Sequence, residues 1–412
     1  MEGKGNFPIA SERKLWYRNL NFHIPCRSPL KMLILSIVVF WFSLGLLALC
    51  YLIYPFLVAI VAGIFPKRIR SKTYLPSITL LIPCYNEAKV VRKKLEESLK
   101  LDWEKNKLEI LVISDCSDDG TDEIVKGFAD KGVRLIRMPQ RSGKMAALSA
   151  GAKHATGDIL VFTDANTTIE KRALSELVKP FADPGVGGVA GEQIITGKEG
   201  SSPGEGLYWR YESFIKRAES STGNICGADG SLYAVRRKLF VGGSPRWMVM
   251  DDLLISLAVV KGGKRLVYCP QARAFEEGAG SLFKEFRRKA RILAGSVGSM
   301  RLLARLWLTP LAGKLFCHKL LRWTSPFLLL LLLASNIYIQ LTAPSLDYEI
   351  ALFCQAVFYA VALVGILVEV SPMPQGRLTY LALYFLLTNI AQLWGFVGLL
   401  TGRYKPYWRK ER

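Results

Sequence analysis

The chain has 412 residues, 50% of them hydrophobic, with 55 Lys+Arg against 34 Asp+Glu for a formal charge of +21. At roughly 150 residues per domain there is room for two or three domains with ample material for a buried core, so disorder is not the default. A mean hydropathy of +0.22 beside the positive excess points to a membrane and to anionic partners. The eight cysteines, at 26, 50, 84, 116, 226, 269, 317 and 354, form no CxxC pair and stand beside only three His. Neither a disulfide framework nor a zinc site is readable, and reduced thiols in a cytosol-facing domain are expected.

In chain order, a basic tail (1–31) precedes residues 32–65, which carry no charge over 34 positions. As a helix that run is about 51 Å long, against a hydrocarbon core of about 30 Å. One span is expected. Pro55 could kink or divide it, and the surplus length could be tilt or an interfacial extension. The run is too long, and begins too late, for a signal peptide.

Residues 70–280 alternate short apolar runs with helical patterns. Strands are expected at 77–83, 109–114, 133–137, 158–163 and 186–190, with helices at 87–99, 121–131, 142–155 and 168–181 between them. This is a βαβ series, an α/β domain with a mostly parallel, Rossmann-like sheet that binds ligands at the carboxyl ends of its strands. Residues 281–323 place Arg and Lys on one side and Leu, Ile and Phe on the other, which suits an interfacial helix under the site or an amphipathic helix packed on the domain. His318, Lys319, Arg322 and Trp323 would mark the membrane boundary.

Three further apolar runs, at about 324–343, 350–370 and 378–401, read as transmembrane helices within a region 324–401, before a second basic tail at 402–412. Lys67, Arg68, Arg70 and Lys72 follow the first run, and Lys314, Lys319 and Arg322 precede the second. The positive-inside rule therefore puts the middle of the chain in the cytoplasm. Four spans would leave both basic tails outside, which suggests a re-entrant segment at one end.

Chemistry-bearing residues gather where strands end. Tyr85 can stack on a base and Asp115 can accept from a ribose hydroxyl or a base N–H; Asp118 to Thr121 also reads simply as a turn and a helix cap. An EF-hand starting at Asp115 would need Glu at its twelfth position, where Lys126 stands. Lys144 opens a helix and could bring charge to a phosphate, although Met138 and Met145 rule out a Walker A loop. Asp164 and Asn166 supply two hard oxygen donors suited to Mg²⁺ or Mn²⁺, or else an Asx turn. Asp251 and Asp252 precede an apolar helix and could supply a general base, with capping by Asp251 as the plainer reading.

Taken in order, IPCYNE (82–87), SDCSDDGT (114–121), SGKMAAL (142–148), FTDANT (162–167), CGADGSLYAVRR (226–237), DDLLIS (251–256) and EFRRKARI (285–292) resemble the family 2 glycosyltransferases. These are membrane-bound inverting enzymes of the GT-A fold that include cellulose, hyaluronan and poly-N-acetylglucosamine synthases. The resemblance covers residues 75–295. It implies a GT-A domain flanked by transmembrane helices, a UDP-sugar donor held by Tyr85, Glu87 and Asp115 with Lys144 nearby, and a metal at Asp164 and Asn166. Asp252, with Asp251 second, would be the base that deprotonates the acceptor. The acceptor would be a glycan or a lipid-linked molecule, with membrane lipids, no nucleic acid, and a membrane partner or a second copy where a channel needs completing.

Two departures stand out. The metal motif ends in Asn166 rather than Asp, which removes a charge. Where processive synthases carry QxxRW, this chain has Arg288, Lys289, Ala290, Arg291 and Ile292. Arg288 and Arg291 could still hold the diphosphate, but the Trp platform for a growing chain is absent, which favours single addition to a polyprenyl-phosphate or glycolipid.

Overall fold

The computed structural model describes residues 29–67, 69, 73–196, 203–243, 249–278, 280–369, 371 and 376–403. Most of the two basic tails expected at 1–31 and 402–412, together with Arg68, Arg70 and Lys72, lie outside the described residues.

Three strands rich in Ile, Leu and Val, β1 (Ile78–Cys84), β2 (Leu108–Ser114) and β4 (Ile159–Phe162), form the parallel centre of the sheet, with β3 (Val133–Arg137) outside β2. Every residue of β1 is buried. Ile78, Leu80 and Ile82 pack on one face and Leu81 on the other, as a strand covered on both sides by helices requires. The crossovers are helices α2 (Ala88–Ser98), α3 (Thr121–Lys126) and α4 (Lys144–His154). Because β2 and β3 lie on one side of β1 and β4 on the other, the strand order reverses between β1 and β4. A crevice opens at such a point, over the carboxyl ends of the strands.

The complete described sheet has eight strands in the order β3-β2-β1-β4-β7-β6-β8-β5. Three of them depart from expectation. Thr168–Ile169 (β5) is a short strand where a helix was expected to begin, and helix α5 starts only at Ala173 and ends at Val178. Tyr233–Arg236 (β7) enters antiparallel between β4 and β6 (Val186–Thr196). Arg265–Glu277 (β8) runs parallel to β6, with a shift of register between Gly191 and Glu192. Pro270 sits in that bulge, where no ladder N–H is needed. A Cβ on Gly191 would lie 2.6 Å from the Ala272 carbonyl oxygen, so the bulge also fixes a glycine opposite it.

Helix α6 (Pro203–Ser221) lies beside this half of the sheet, α7 (Asp251–Lys261) covers it, and α8 (Leu282–Leu302) follows β8. The amphipathic α8 buries Ala290, Leu293 and Ala294. It packs against α7 through the bond from Met250 N–H to Gly295 O (3.2 Å).

Among the described residues, four helices are long and apolar enough to cross a membrane: α1 (Leu30–Ile64), α9 (Ala312–Thr342), α10 (Leu346–Glu369) and α11 (Arg377–Leu400). The surplus length of α1 has a structural explanation. Phe40 packs with Leu332 and Ile339 of α9, whereas Tyr54 and Val58 pack with Ile215 and Ala218 of α6. A π-turn at Leu49–Ile53 separates the two parts, and α9 carries its own at Phe316–Leu320. One helix thus serves the apolar bundle with its first half and the α/β domain with its second.

Candidate active site

The ends of β1 and β2 brace one another. Asn86 and Cys116 are the two non-glycine residues with left-handed backbone among those described (φ 56° and 61°), a conformation Asn tolerates better than Cys. Asn86 Nδ2 donates to Asp118 Oδ1 (2.7 Å), and Asp119 accepts from Ala88 N–H (3.0 Å) and Thr121 N–H (3.1 Å). Burial works to raise the Asp119 carboxyl, but these bonds outweigh it and hold the group below its usual range. The stretch from Asp118 to Thr121 is therefore a turn and a helix start. Glu87 is buried beside it, its N–H donating to Thr121 Oγ1 (2.8 Å), and Arg141 lies over the Tyr85 ring at 3.9 Å.

Asp115 is 3% exposed, and its two oxygens accept from Ser142 N–H (2.7 Å) and Gly143 N–H (2.8 Å). Gly143 has φ 90°, open to glycine at little cost. This bidentate tie sets the residue that follows, Lys144, over the crevice.

Lys144 Nζ contacts Asp164 Oδ1 at 2.7 Å and Asp251 Oδ2 at 3.1 Å. Burial acts to lower its pKa, but the charges of Asp164 and Asp251 prevail and hold it above the ordinary lysine value. Gly230 faces the same group: a Cβ there would stand 3.5 Å from Asp164 Oδ2, 3.5 Å from Asp252 Oδ2 and 3.6 Å from Lys144 Nζ. Four residues singled out from sequence thus converge, and Gly230, quoted only as part of a motif, completes the floor. Burial first, and then the charge of Asp251, push the Asp252 carboxyl up to about 7, while Lys144 opposes the shift.

Asn166 lies next to the cluster in sequence and is half-buried. Its amide Nδ2 donates to Glu276 Oε1 (3.3 Å), so its oxygen is the end suited to a cation. Together with the Asp164 carboxylate it would offer the hard oxygen donors that a divalent ion of the Mg²⁺ class takes. Below this turn Lys94, 2% exposed, donates to Thr163 Oγ1 (2.9 Å) and Thr167 O (2.6 Å). Burial brings the Lys94 pKa down to about 7 against the pull of Asp164.

The arginines of α8 are disposed differently. Arg288 forms a two-pronged pair with Glu285 (Nε 2.7 Å, Nη2 2.9 Å), and Glu285 also accepts from Tyr384 OH (3.2 Å). Arg291 is half-buried on the same helix.

Sequence reasoning missed a second buried polar group, centred on α6. Lys216 pairs with Asp229; Glu212 pairs with Arg322 and, at 3.2 Å, with His318 Nε2; Glu219 meets His318 Nδ1 at 2.7 Å and accepts from Tyr54 OH at 2.5 Å. The ligand atoms of Glu219, Cys226 and His318 lie within 4.8 Å of one another. Each of them already has a protein partner, and burial together with Glu219 pushes the Cys226 thiol well up, against the thiolate a metal needs. The signal available in sequence was a run of charges on α6 spaced i, i+4, i+7.

The profile of "Glycosyl transferase family 2" matches residues 79–242. A poly-beta-1,6-N-acetyl-D-glucosamine synthase of Staphylococcus aureus (strain COL) is 29% identical over 228 residues, covering 53% of this chain and 54% of that one. The probable glycosyltransferase YdaM of Bacillus subtilis (strain 168) is 28% identical over 228 residues, covering 52% and 53%. The chain spans about half the length of these curated relatives. Among solved structures, the mannosyltransferase PcManGT from Pyrobaculum calidifontis, in complex with GDP-Man and Mn²⁺, shares the fold with a TM-score of 0.65 at 23% identity, covering 88% of this chain and 99% of that one. Ordered motifs and a GT-A sheet with Asp115 and Asp164 just past its strand ends agree with the profile, and residues 79–242 accordingly form a glycosyltransferase family 2 domain flanked by helices long and apolar enough to cross a membrane.

Proposed function

We propose that this protein is a multi-pass, inverting glycosyltransferase whose catalytic domain faces the cytoplasm and moves a hexosyl or N-acetylhexosaminyl unit from a UDP-sugar to a glycan or lipid-linked acceptor in cell-surface polysaccharide synthesis. The observation that carries this reading is Asp252. Its carboxyl is raised to about 7 beside Asp164 and Lys144, so near neutral pH it is poised to take a proton. The names of the poly-N-acetylglucosamine synthases support the substrate class, and the basic residues flanking α1 and α9 support the orientation.

In this mechanism Asp252 removes the proton of the acceptor hydroxyl as its oxygen attacks the anomeric carbon, and the bond to UDP breaks on the opposite face, inverting the centre. Asp251, paired with Lys144, raises the basicity of Asp252 by its charge. Lys144 stands ready for the diphosphate. Tyr85 supplies a ring for the base, and Glu87 and Asp115 shape the nucleotide pocket, Asp115 by holding the turn at Ser142 and Gly143. Asp164 and Asn166 would hold Mg²⁺ or Mn²⁺, which when bound offsets charge on the leaving diphosphate. Arg291 keeps the family's diphosphate arginine, while Arg288 braces α8 through Glu285.

A second reading, single addition to a polyprenyl-phosphate or glycolipid, is favoured by the missing Gln and Trp at Arg288 and Ile292. The test is nucleotide release by detergent-solubilised protein given a panel of UDP- and GDP-sugars with Mg²⁺ or Mn²⁺, beside Asp252→Asn. Release with one donor that the variant loses by about 100-fold or more supports the transferase, and product length separates polymer from single addition. Release that Asp252→Asn leaves intact would remove Asp252 as the base.

A further inference from the structure

The buried charges of α6 do not touch the Lys144 cluster, yet they hold the loop that does. Residues 226–230 run from Cys226 to Gly230, the floor of the cluster. At one end Cys226 N–H donates to Glu219 Oε2 (3.1 Å) and its thiol lies 3.3 Å from Oε1. At the other, Asp229 pairs with Lys216 Nζ. The two anchors are i and i+3 on one helix, and so neighbours on its surface. Between them the loop rests on α7: Ala228 N–H donates to Ser256 Oγ (3.1 Å), and a Cβ on Gly227 would lie 2.6 Å from Leu253 Cδ1.

Helix α6 is itself fixed from the membrane side. Glu212 and Glu219, two turns apart, are bridged by the two ring nitrogens of His318, which is 2% exposed. Tyr54 of α1 donates to the same oxygen of Glu219, and Lys314 Nζ caps the end of α6 on Glu219 O (2.8 Å), Thr222 Oγ1 (2.6 Å) and Asn224 O (2.9 Å). His318 lies in the π-turn of α9, and Tyr54 directly follows that of α1. Such turns break the regular ladder and are often kept for a local task.

We propose that Lys216 is a positioning residue for sugar transfer: through Asp229 it sets the 226–230 loop against Asp164 and Asp252, and the buried chain Glu212–His318–Glu219 locks α6, and Lys216 with it, to the membrane helices. The inference rests on the transferase reading above for its kinetics but not for its structural arm. Lys216 reaches the site only through Asp229, so its loss is expected to act on turnover.

Two measurements test this on the full-length protein in detergent. In the first, Lys216→Met lowers kcat by about tenfold or more while donor KM changes less than about threefold, Asp229→Asn does the same, and Lys216→Arg recovers a large part of the rate. In the second, peptide mass spectrometry follows maleimide labelling of the native Cys226, 2% exposed, with the equally buried Cys84 of β1 as the control for general unfolding. Both Lys216→Met and His318→Gln speed labelling of Cys226 by about tenfold while Cys84 stays protected. Unchanged kcat and unchanged Cys226 labelling overturn the proposal, as does equal exposure of Cys84, which would make these residues mere props of the fold. If the parent protein turns over no donor, the transferase reading fails, and the labelling result still decides the clamp.

Discussion

The Asp252 carboxyl, raised to about 7, has to be ionised to accept a proton, so kcat/KM is expected to climb about tenfold per unit at pH values below 7 and to level off above. A pH–rate profile checks this, and a flat profile between pH 5 and about 8 would contradict it. The same shift bears on stability. A carboxyl whose folded pKa lies above its unfolded value keeps its proton longer in the folded state, so its contribution falls as pH rises from about 4 to about 7. Asp252→Asn is therefore expected to melt higher than the parent at pH 8 and to gain nothing at pH 4, as thermal unfolding would show. Asn166 illustrates how far a motif reaches. Sequence marked it as a departure from an acidic ligand; the structure gives the reason, since its amide donates to Glu276 and an aspartate would set two carboxylates face to face. Asn166→Asp is expected to lower activity and thermal stability, with Glu276→Gln restoring both in the double variant.

At the scale of elements, β1, β2, β3 and β4 were legible because each is a short apolar run bounded by turn residues and followed by a helical pattern. β5, β7 and β8 were not. β5 has two residues, β7 lies inside a stretch that reads as a loop motif, and Pro270 interrupts the alternation of β8 at its bulge. Their pairing is decided by distant partners, which local pattern does not carry. The candidate carboxylates stood out for the opposite reason: Asp115 and Asp164 follow readable strands, and Asp251 and Asp252 open a readable apolar helix. The packing of α8 belongs to this scale too. A Cβ on Gly395 of α11 would lie 2.7 Å from Ala290 O and 2.9 Å from Leu293 Cδ2, so the two helices meet through a residue without a side chain. Gly395→Val is expected to push α8, with Arg288 and Arg291, away from α11 and to lower turnover by about tenfold or more, whereas Gly63→Val, with open space around it, leaves turnover unchanged.

Across the whole molecule, four apolar helices and two basic tails pose a problem of sidedness that composition alone left open. Tyr384, in the first half of α11, bonds Glu285 and lies 5.2 Å beneath Lys289. Charged side chains at the centre of a bilayer cost about 3 kcal/mol each, so the part of α11 around Tyr384 is expected at the interface, short of a symmetric crossing. A reporter fused after Arg412 is expected on the same side as the catalytic domain, leaving only the N-terminal tail across the bilayer; a reporter on the opposite side would restore four full spans.

The bridge made by His318 also fixes an order of events during synthesis. Glu212 and Glu219 leave the ribosome about a hundred residues before the histidine that satisfies them, at about 5–20 residues per second. For that interval Glu212 lacks both His318 and Arg322, and Glu219 has only Tyr54 and Cys226, so α6 is not locked in place until α9 follows. A catalytic domain cut free of α9 would remain in that unfinished condition permanently.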